Sequence, residues 1–486
     1  MKKTAALIIV LMLLFSTVSC ARGGNYPSET TPSAAGSFMT GPDETDGATP
    51  YELVPKEKFG GHTFKIYYPD FDSCYTDFLA TELTGDILND EVFERNRRVE
   101  NDLDINIEIN WAARADVFAR VRTQYTAGDQ DFDLFGGHRD AMNLSYGGML
   151  YDFRKMDEVR LDEKWWDRGF TQAMEINGSV YTAFSDASVD CMLFVSSLTF
   201  NKKLFDDLNL TEPYSEVRDG SWTYDKLLSI TADYGTDLNS DGKMKLDDDL
   251  FSITGWYAES TYSSFYTSGF TFLNRDAGGR YVLEYDAETA GDIFGKSLEL
   301  WTAPGAYVDF TGGNEAHQKL YSVFPSGRSL FCDICLNKIG WFFKDMTDNY
   351  GIIPTPKLNE DQERYFSYGG FTIPFFLVTG NTENPHRTGV ILECLATASY
   401  DSLSPAMLEI VTKTRNVRDA ESGEMVELII RNKIYPAENF FNLTGLGTIP
   451  STVVKNRVFM PSILKGYNSG ANKEWGRIQA EFDALQ

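Results

Sequence analysis

Oxygen-bearing side chains recur at spaced positions in one segment of the sequence, residues 237–248. Its first, third, fifth and twelfth residues are Asp237, Asn239, Asp241 and Asp248; glycine is sixth, and Lys243, the seventh, offers a backbone carbonyl. This order matches the calcium loop of EF-hands, in which oxygen ligands surround the ion and a glycine permits the tight turn. Aspartate replaces the usual glutamate at position twelve, and a lysine at position nine leaves that place to water. The segment therefore predicts one structural calcium ion, with a metal-free acidic turn as the alternative.

A second polar segment, Gly136-Gly137-His138-Arg139-Asp140, directly follows the apolar stretch Phe132–Phe135. The stretch predicts a buried strand, and a helix is expected after the polar segment. Side chains and free backbone N–H groups at such a strand end face the place where ligands of α/β sheets bind. Gly137, His138, Arg139 and Asp140 are therefore candidate ligand-binding residues. A solvated loop that contacts no ligand is the alternative.

Aromatic residues form 14% of the chain and include 25 Tyr and 8 Trp. Many must lie in the core, but Tyr and Trp also present flat amphipathic faces on which sugar rings stack. The four candidates are Trp111, after the predicted strand Ile105–Ile109; Trp256, after Ile253-Thr254-Gly255; and Tyr368 and Phe371, on either side of Gly369-Gly370. For each of them, burial in the core is the alternative.

Motifs of enzymatic chemistry are mostly missing from the sequence. It contains no GxxxxGK[ST] loop, no HExxH pair and no GxSxG elbow. A pair of catalytic carboxylates is not excluded, because the chain has 71 acidic residues. The net charge of −27 argues against nucleic acid and against adhesion to anionic lipid, since both reward basic patches. We expect no organic cofactor.

The first twenty residues have the organisation of a bacterial export signal. Lys2 and Lys3 precede an uncharged stretch from Thr4 to Val18, and a small residue precedes Cys20. This pattern is typical of lipoproteins, so residues 1–19 are the expected signal and Cys20 the expected site of lipid attachment, palmitate included. A plain secretory signal and an uncleaved anchor are the alternatives. Residues 20–55 are rich in Pro, Gly, Ser and Thr and predict a disordered tether.

Six cysteines occur, and lipid attachment at Cys20 would leave five. Five thiols cannot all pair, so at least one is expected to be free. Cys332 and Cys335 lie in an apolar stretch, which favours buried structural cysteines. A local disulfide is one alternative, and a zinc or redox site, which has no second cysteine pair to complete it, is another.

The rest of the chain alternates strands and helices. Thr63–Tyr68 and Ile105–Ile109 predict strands, and Asn89–Asp102 and Ala115–Ala127 predict helices. Repeated strand–helix order is typical of an α/β lobe built on a mostly parallel sheet. Residues 56–486 exceed what one hydrophobic core usually serves, so two lobes are expected. No second long apolar run occurs, and we expect this body to be soluble.

Ordered landmarks along residues 60–360 suggest a family. They are Gly85-Asp86 with Asn89-Asp90-Glu91-Val92-Phe93-Glu94-Arg95-Asn96, then Asp131-Phe132-Asp133-Leu134, Phe200-Asn201-Lys202-Lys203-Leu204-Phe205, Gly220-Ser221-Trp222-Thr223-Tyr224-Asp225-Lys226-Leu227 and Tyr350-Gly351-Ile352-Ile353-Pro354-Thr355-Pro356-Lys357. In this order they resemble the extracellular solute-binding proteins of ABC importers, in the branch, family 1, that takes up sugars and oligosaccharides.

The resemblance implies an α/β, two-lobed periplasmic-binding-protein-like fold of type II, with a mostly parallel sheet flanked by helices in each lobe. Lobe 1 is expected over residues 56–190 with about 360–405, and lobe 2 over 191–359 with about 406–486. Met192–Phe200 and Ile352–Pro356 are expected to cross between the lobes, and Phe371–Leu377 to return as a strand of lobe 1. Such crossovers form a hinge.

The same resemblance implies a function without catalysis. A monomer, anchored by its lipid on the extracytoplasmic face of the cell membrane, would capture a carbohydrate, foremost an oligosaccharide, in the cleft between lobes and deliver it to permease subunits in the membrane. Sugar-binding members place His, Asp and Arg of a similar loop against sugar hydroxyls, and here the order is His138-Arg139-Asp140. The alternatives are a lipid-anchored glycoside hydrolase and a surface glycan-binding adhesin.

Overall fold

The structure is a computed structural model that describes residues 47–70, 78, 80–232, 234–370, 372–413, 420–443 and 445–486. The predicted signal, Cys20, most of the tether, Cys74 and Phe371 lie outside the described residues. The described part of the chain contains no helix long and apolar enough to cross a bilayer.

The strands alternate with helices as the sequence predicts. The strands are β1 (His62–Pro69), β2 (Ile105–Ala112), β3 (Leu134–Gly137), β4 (Ser196–Asn201), β5 (Phe251–Trp256), β6 (Asn274–Arg275), β7 (Tyr281–Val282), β8 (Ala306–Asp309), β9 (Ser329–Cys335), β10 (Tyr350–Ile353), β11 (Ser367–Tyr368), β12 (Phe375–Leu377) and β13 (Lys433–Ile434). The α-helices cover Pro50–Leu53, Ile87–Leu103, Arg114–Ala127, Met142–Tyr146, Arg168–Met174, Val189–Leu193, Lys202–Asp207, Tyr214–Asp219, Tyr224–Thr231, Tyr257–Tyr266, Ala287–Thr302, Asn314–Tyr321, Leu336–Phe342, Pro385–Asp401, Leu403–Lys413, Ala420–Arg431, Ala437–Phe440, Ile449–Asn456 and Pro461–Asp483.

The sheet of lobe 1 has the strand order β12-β3-β1-β2. The strands β1, β2 and β3 run parallel, and β12 returns antiparallel to β3. The register pairs Tyr68 with Trp111 and Ile66 with Leu134. Because the three strands are parallel, their carboxyl ends meet at one edge, where the loops that follow can share a ligand. We call this the lobe-1 edge.

The sheet of lobe 2 has the order β10-β4-β9-β5-β8. The neighbours β9, β5 and β8 run parallel, whereas β4 runs antiparallel to both β9 and β10. Four of the five strands therefore point the same way. The carboxyl ends of β9, β5 and β8 form a second edge, the lobe-2 edge, with Trp256 of β5 paired to Asp309 of β8.

Two short pairings join the lobes near their crossovers. The strand β11 pairs in parallel with β13, and Val195 forms an isolated antiparallel bridge with Gly369. The C-terminal helix Pro461–Asp483 contacts residues from both parts of the chain. Its Arg477 guanidinium lies 5.3 Å from the ring centroid of Tyr146 in lobe 1, and its Trp475 indole donates to the carbonyl of Tyr281, 3.0 Å away.

The folded part begins earlier than the predicted boundary at residue 56. The helix Pro50–Leu53 buries Tyr51 completely against lobe 1. The Tyr51 hydroxyl donates to Asp102 at 2.9 Å, and its backbone N–H donates to Asp401 at 3.1 Å. The sequence did not predict this helix, because Thr49 and Pro50 are as typical of a loop as of a helix start.

The crossover predicted as one strand, Met192–Phe200, is divided. A helix covers Val189–Leu193, and β4 begins only at Ser196. The hydroxyl of Ser188 accepts the backbone N–H of Cys191 at 3.2 Å, which stabilises the start of that helix. The apolar run therefore contains two elements, since burial on all sides gives no periodicity that would separate them.

The four described cysteines are buried, as the favoured interpretation expects, and the thiols of Cys332, Cys335 and Cys394 are free. Cys332 and Cys335 lie three residues apart on β9, so their side chains point to opposite faces of the sheet and cannot bond to each other. Burial raises the pKa of the Cys335 thiol well above its usual value. Within the described ranges, no group of three His, Cys, Asp or Glu side chains is placed to hold a metal ion.

Candidate functional site

Three of the predicted residues lie together at the lobe-1 edge, directly after β3. Arg114, the first residue of the helix Arg114–Ala127 that connects β2 to β3, reaches this loop. Its guanidinium lies 3.4 Å from Nε2 of His138 and 3.5 Å from the carboxylate of Asp140. His138 is only 5% exposed, and Asp140 faces solvent. The loop therefore holds a buried imidazole between a cation and an exposed carboxylate.

The imidazole of His138 is neutral. Burial lowers its pKa from 6.5 to about 3, and the charges of Arg114 and Arg139 act in the same direction. Because the Arg114 guanidinium can only donate to Nε2, the proton of the neutral ring resides on Nδ1. Nδ1 has no hydrogen-bond partner in the described part of the chain, and the Asp140 carboxylate is 3.8 Å away. His138 thus offers a buried N–H donor.

Arg139 points from lobe 1 towards lobe 2. Burial raises the pKa values of Tyr262, on the helix Tyr257–Tyr266, and of Tyr368, on β11. The positive charge of Arg139 acts on both pKa values in the opposite direction. Ala141 packs into the same hydrophobic cluster as these two tyrosines. The charge of Arg139 therefore acts on residues of lobe 2 and of the crossover region.

Four polar or aromatic residues lie close together at the lobe-2 edge, each at the end of a strand or on the helix that follows it. Trp256 ends β5, and Glu259 lies in the first turn of the helix that follows. His317 lies on the helix after β8, and Lys338 on the helix after β9. Parallel neighbouring strands bring these positions together although they are distant in sequence.

A buried ion pair organises the lobe-2 edge. Lys338 donates to the carboxylate of Glu259, and these residues are 8% and 1% exposed. The Tyr321 hydroxyl donates to the other carboxylate oxygen at 3.1 Å. The Lys338 ammonium also lies 4.7 Å from the ring centroid of Trp256, a cation–π contact that fixes the indole.

Two ring nitrogens at the same edge are buried without a hydrogen-bond partner among the described residues: Nε1 of Trp256 and Nε2 of His317. The two rings touch, with centroids 4.4 Å apart and planes at 75°. Beside them, Tyr257 stacks on Phe310 with centroids 5.6 Å apart, and both rings are partly exposed. The edge therefore combines polar atoms that lack partners with an aromatic platform.

The structure brings only part of the predicted set together. Trp111 lies at the end of β2, packed 6.1 Å from the ring of Tyr68 and separated from β3 by β1. Tyr368 is 2% exposed, accepts from Asn439 at 3.2 Å, and stacks on Tyr262. Gly137 is the last residue of β3 rather than part of the loop, and a Cβ there would overlap Leu377.

Sequence reasoning missed Arg114, Glu259, His317 and Lys338 as site residues. A usable signal existed for Arg114, which directly precedes the predicted helix Ala115–Ala127. None existed for His317 and Lys338, because β8 and β9 were not predicted as strands.

The predicted calcium loop closes on itself. Asp237 accepts the backbone N–H groups of Asp241 at 3.3 Å and Gly242 at 2.7 Å. Asp241 is paired with the ammonium of Lys245, and Asp249, beyond the motif, accepts the N–H of Leu238 at 2.9 Å. The carboxylates of the loop are bonded within the turn, so a bound ion would have to displace Lys245 from Asp241. The calcium ion stays a prediction.

Comparison with known proteins gives structural matches alone, since no family model and no curated protein matches the sequence. The maltose/maltodextrin-binding domain MalE from Bdellovibrio bacteriovorus, bound to maltotriose, matches with a TM-score of 0.53 and 14% identity over 85% of this chain and 99% of that one. MalX from Streptococcus pneumoniae, in complex with maltopentaose, has a TM-score of 0.54 and 15% identity over 84% and 99%. The ABC substrate-binding protein Lmo0181 from Listeria monocytogenes, in complex with cycloalternan, has a TM-score of 0.53 and 14% identity over 86% and 99%.

The fold is that of the ABC substrate-binding proteins. The predicted fold class is therefore confirmed. Both the lobe-1 edge and the lobe-2 edge lie at carboxyl ends of parallel strands, the position at which α/β sheets bind ligands. The donors and aromatic faces described above are of the types that hold a polar ligand by hydrogen bonds and stacking, and none of these contacts requires a bond to be made or broken.

Proposed function

We propose that this protein captures an oligosaccharide between its two lobes and hands it to an ABC importer without altering it. The observation that supports this most is the fold, which is shared along most of the chain with binding proteins solved in complex with maltotriose, maltopentaose and cycloalternan. The stacked pair of Tyr257 and Phe310 and the buried donor of His138 supply the contacts that sugar rings and hydroxyls require.

Recognition would be noncovalent. A sugar ring lies against Tyr257 and Phe310, while Arg139 and His138 approach from lobe 1 and donate to its hydroxyls. Binding to both edges favours the closed arrangement of the lobes, because only that arrangement makes both sets of contacts. A permease can then distinguish the liganded protein by its shape.

The proposal places the protein on the extracytoplasmic face of the cell membrane. Cys20 would carry the lipid, and residues upstream of the helix Pro50–Leu53 would act as a tether that keeps the receptor near its permease at high effective concentration. We propose that it acts as a monomer there. Mass spectrometry of the membrane-extracted protein would test the lipid anchor, with loss of residues 1–19 and lipid on Cys20 as the supporting result.

The function is tested with a panel of neutral oligosaccharides, including maltotriose, maltopentaose, raffinose and cellotriose. We expect at least one to raise the melting temperature and to change tryptophan emission, since Trp256 lies at the edge. Chromatography of the sugar after prolonged incubation should recover it intact. Release of shorter products would instead support the hydrolase alternative, and binding restricted to insoluble polysaccharide would support an adhesin.

The lobe-1 contacts carry the next prediction. Arg139→Ala and His138→Ala should each weaken binding of the sugar identified in the panel by about 10-fold or more, because each removes a buried donor to a ligand oxygen. Isothermal titration calorimetry measures this. Arg120→Ala is the matched control, since Arg120 pairs with Asp131 on the outside of the same lobe. Affinities of both site variants equal to that of the control would reject this loop as part of the site.

We also propose a structural calcium ion in the loop 237–248, with Asp237, Asn239, Asp241 and Asp248 as side-chain ligands and Lys243 as a carbonyl ligand. In this loop calcium would compete with Lys245 for Asp241. We expect millimolar calcium to raise the melting temperature, and Asp241→Ala to abolish that rise while the melting temperature in EDTA changes little. A calcium effect that survives in Asp241→Ala would place the ion elsewhere.

A further inference from the structure

The contact between Trp256 and His317 is the feature of the cleft that the fold comparison does not explain. Each ring has a buried nitrogen without a hydrogen-bond partner in the described part of the chain. A buried polar group left unpaired lowers stability, and here two occur in adjacent rings. Both lie where the parallel strands β5 and β8 end, the position at which α/β sheets bind ligands.

The two nitrogens differ in what they can bind. The indole Nε1 of Trp256 only donates a hydrogen bond. The imidazole of His317 is held neutral, because burial and the charge of Lys338 lower its pKa, whereas Glu259 and Asp309 act in the opposite direction. We assign the proton of the neutral ring to Nδ1, so that Nε2 accepts a hydrogen bond. Together they match a group that accepts one hydrogen bond and donates another.

Charge restricts the ligand further. The groups that face His317 are Lys338, paired with Glu259, and Asp309, whose carboxylate accepts from Thr311 at 2.7 Å. These surroundings of the two rings contain one cation and two carboxylates, so their net charge is not positive. A carboxylate on the ligand would be repelled there, while a hydroxyl would not.

We propose that Trp256 and His317 together form a specificity subsite for one hydroxyl group of an uncharged sugar. The Trp256 N–H donates to the hydroxyl oxygen, and the hydroxyl proton is donated to Nε2 of His317. Lys338 positions the indole through its contact with the ring face. This inference rests on the proposed function and adds to it that the ligand is a neutral rather than an acidic saccharide.

The test uses the full chain with maltotriose, raffinose, cellotriose and xylotriose as neutral probes and trigalacturonate as the acidic one. Trp256→Phe and His317→Phe should each weaken the best neutral probe about 5- to 20-fold, and the double variant should lose little more than either, since one hydroxyl serves both rings. His317→Gln, which keeps an acceptor, should restore much of the affinity. Trp475→Phe and His386→Phe are matched controls, because they remove an indole N–H and an imidazole outside the cleft.

A pH series adds a readout that mere structural damage would not give. Protonation of His317 removes its acceptor, so wild-type affinity should fall as the pH drops through the lowered pKa of His317, and His317→Gln should lack that fall. Single variants within twofold of wild type, fully additive losses, or tighter binding of trigalacturonate would each overturn the subsite while leaving sugar binding in place. If wild type binds no saccharide of the panel, the proposed function fails and the subsite with it.

Discussion

Replacing Glu393 with alanine should lower the free energy of unfolding by about 3–5 kcal/mol, because it leaves several buried donors without an acceptor. Glu393 is 1% exposed on the helix Pro385–Asp401. Its carboxylate accepts the indole N–H groups of Trp165 and Trp166, both at 2.8 Å, and the Arg160 guanidinium at 2.9 Å. One carboxylate thereby holds the segment of lobe 1 that follows the site loop against the main helix of that lobe.

Urea denaturation followed by circular dichroism measures this loss. The matched control is Arg160→Ala, which removes the charged partner but leaves both indoles bonded; because Arg160 is 42% exposed, water replaces it, and the loss should be about 1 kcal/mol. Sugar affinity of the folded Glu393→Ala protein should stay within twofold. Equal losses for the two variants would mean that the indole bonds contribute little.

Lys338→Met should be nearly as harmful, with an expected loss of about 3–5 kcal/mol, because it leaves the buried carboxylate of Glu259 without its cation. The Tyr321 hydroxyl would remain as a partner of that carboxylate. Urea denaturation of the variant and of wild type measures this loss.

The double variant Lys338→Met, Glu259→Leu separates burial from pairing. Buried ion pairs replaced by apolar residues of similar volume are often neutral for stability, so the double variant should be more stable than Lys338→Met alone. Its affinity for the sugar should nevertheless be lower than that of wild type, since Trp256 loses the cation that fixes its indole. A double variant less stable than the single one would contradict this account of the pair.

Much of lobe 1 could be predicted from the sequence. Strands such as β1 combine β-branched and aromatic residues, and the helix Ile87–Leu103 has Val92, Asn96 and Val99 buried at helical spacing. The boundary of β3 was wrong by two residues. Asp133, inside the predicted strand, bonds to Lys65 both ways: its backbone N–H donates to the Lys65 carbonyl at 2.8 Å, and its carboxylate accepts the Lys65 N–H at 2.9 Å. The strand pairing itself starts at Leu134.

The lobe-2 edge could not be predicted in the same way. Tyr321 and Glu259 bond across 62 residues, and Lys338 and Glu259 across 79. Those contacts depend on the order of β9, β5 and β8 in the sheet, which local patterns do not determine. Trp256 was identified because an aromatic residue after an apolar strand stands out, whereas His317 lies on a helix that follows a strand with no alternating pattern.

The helix Pro50–Leu53 has a mechanical consequence. Through Tyr51 it is bonded to Asp102 and Asp401, both of which belong to lobe 1, so any load carried by the chain upstream of residue 50 enters the protein through that lobe. Under the function proposed above, lobe 1 would be the fixed arm of the hinge and lobe 2 the moving one. Closure would then carry the aromatic platform of Tyr257 and Phe310 towards His138 and Arg139, and lobe 2 would be the one to change its orientation to the membrane.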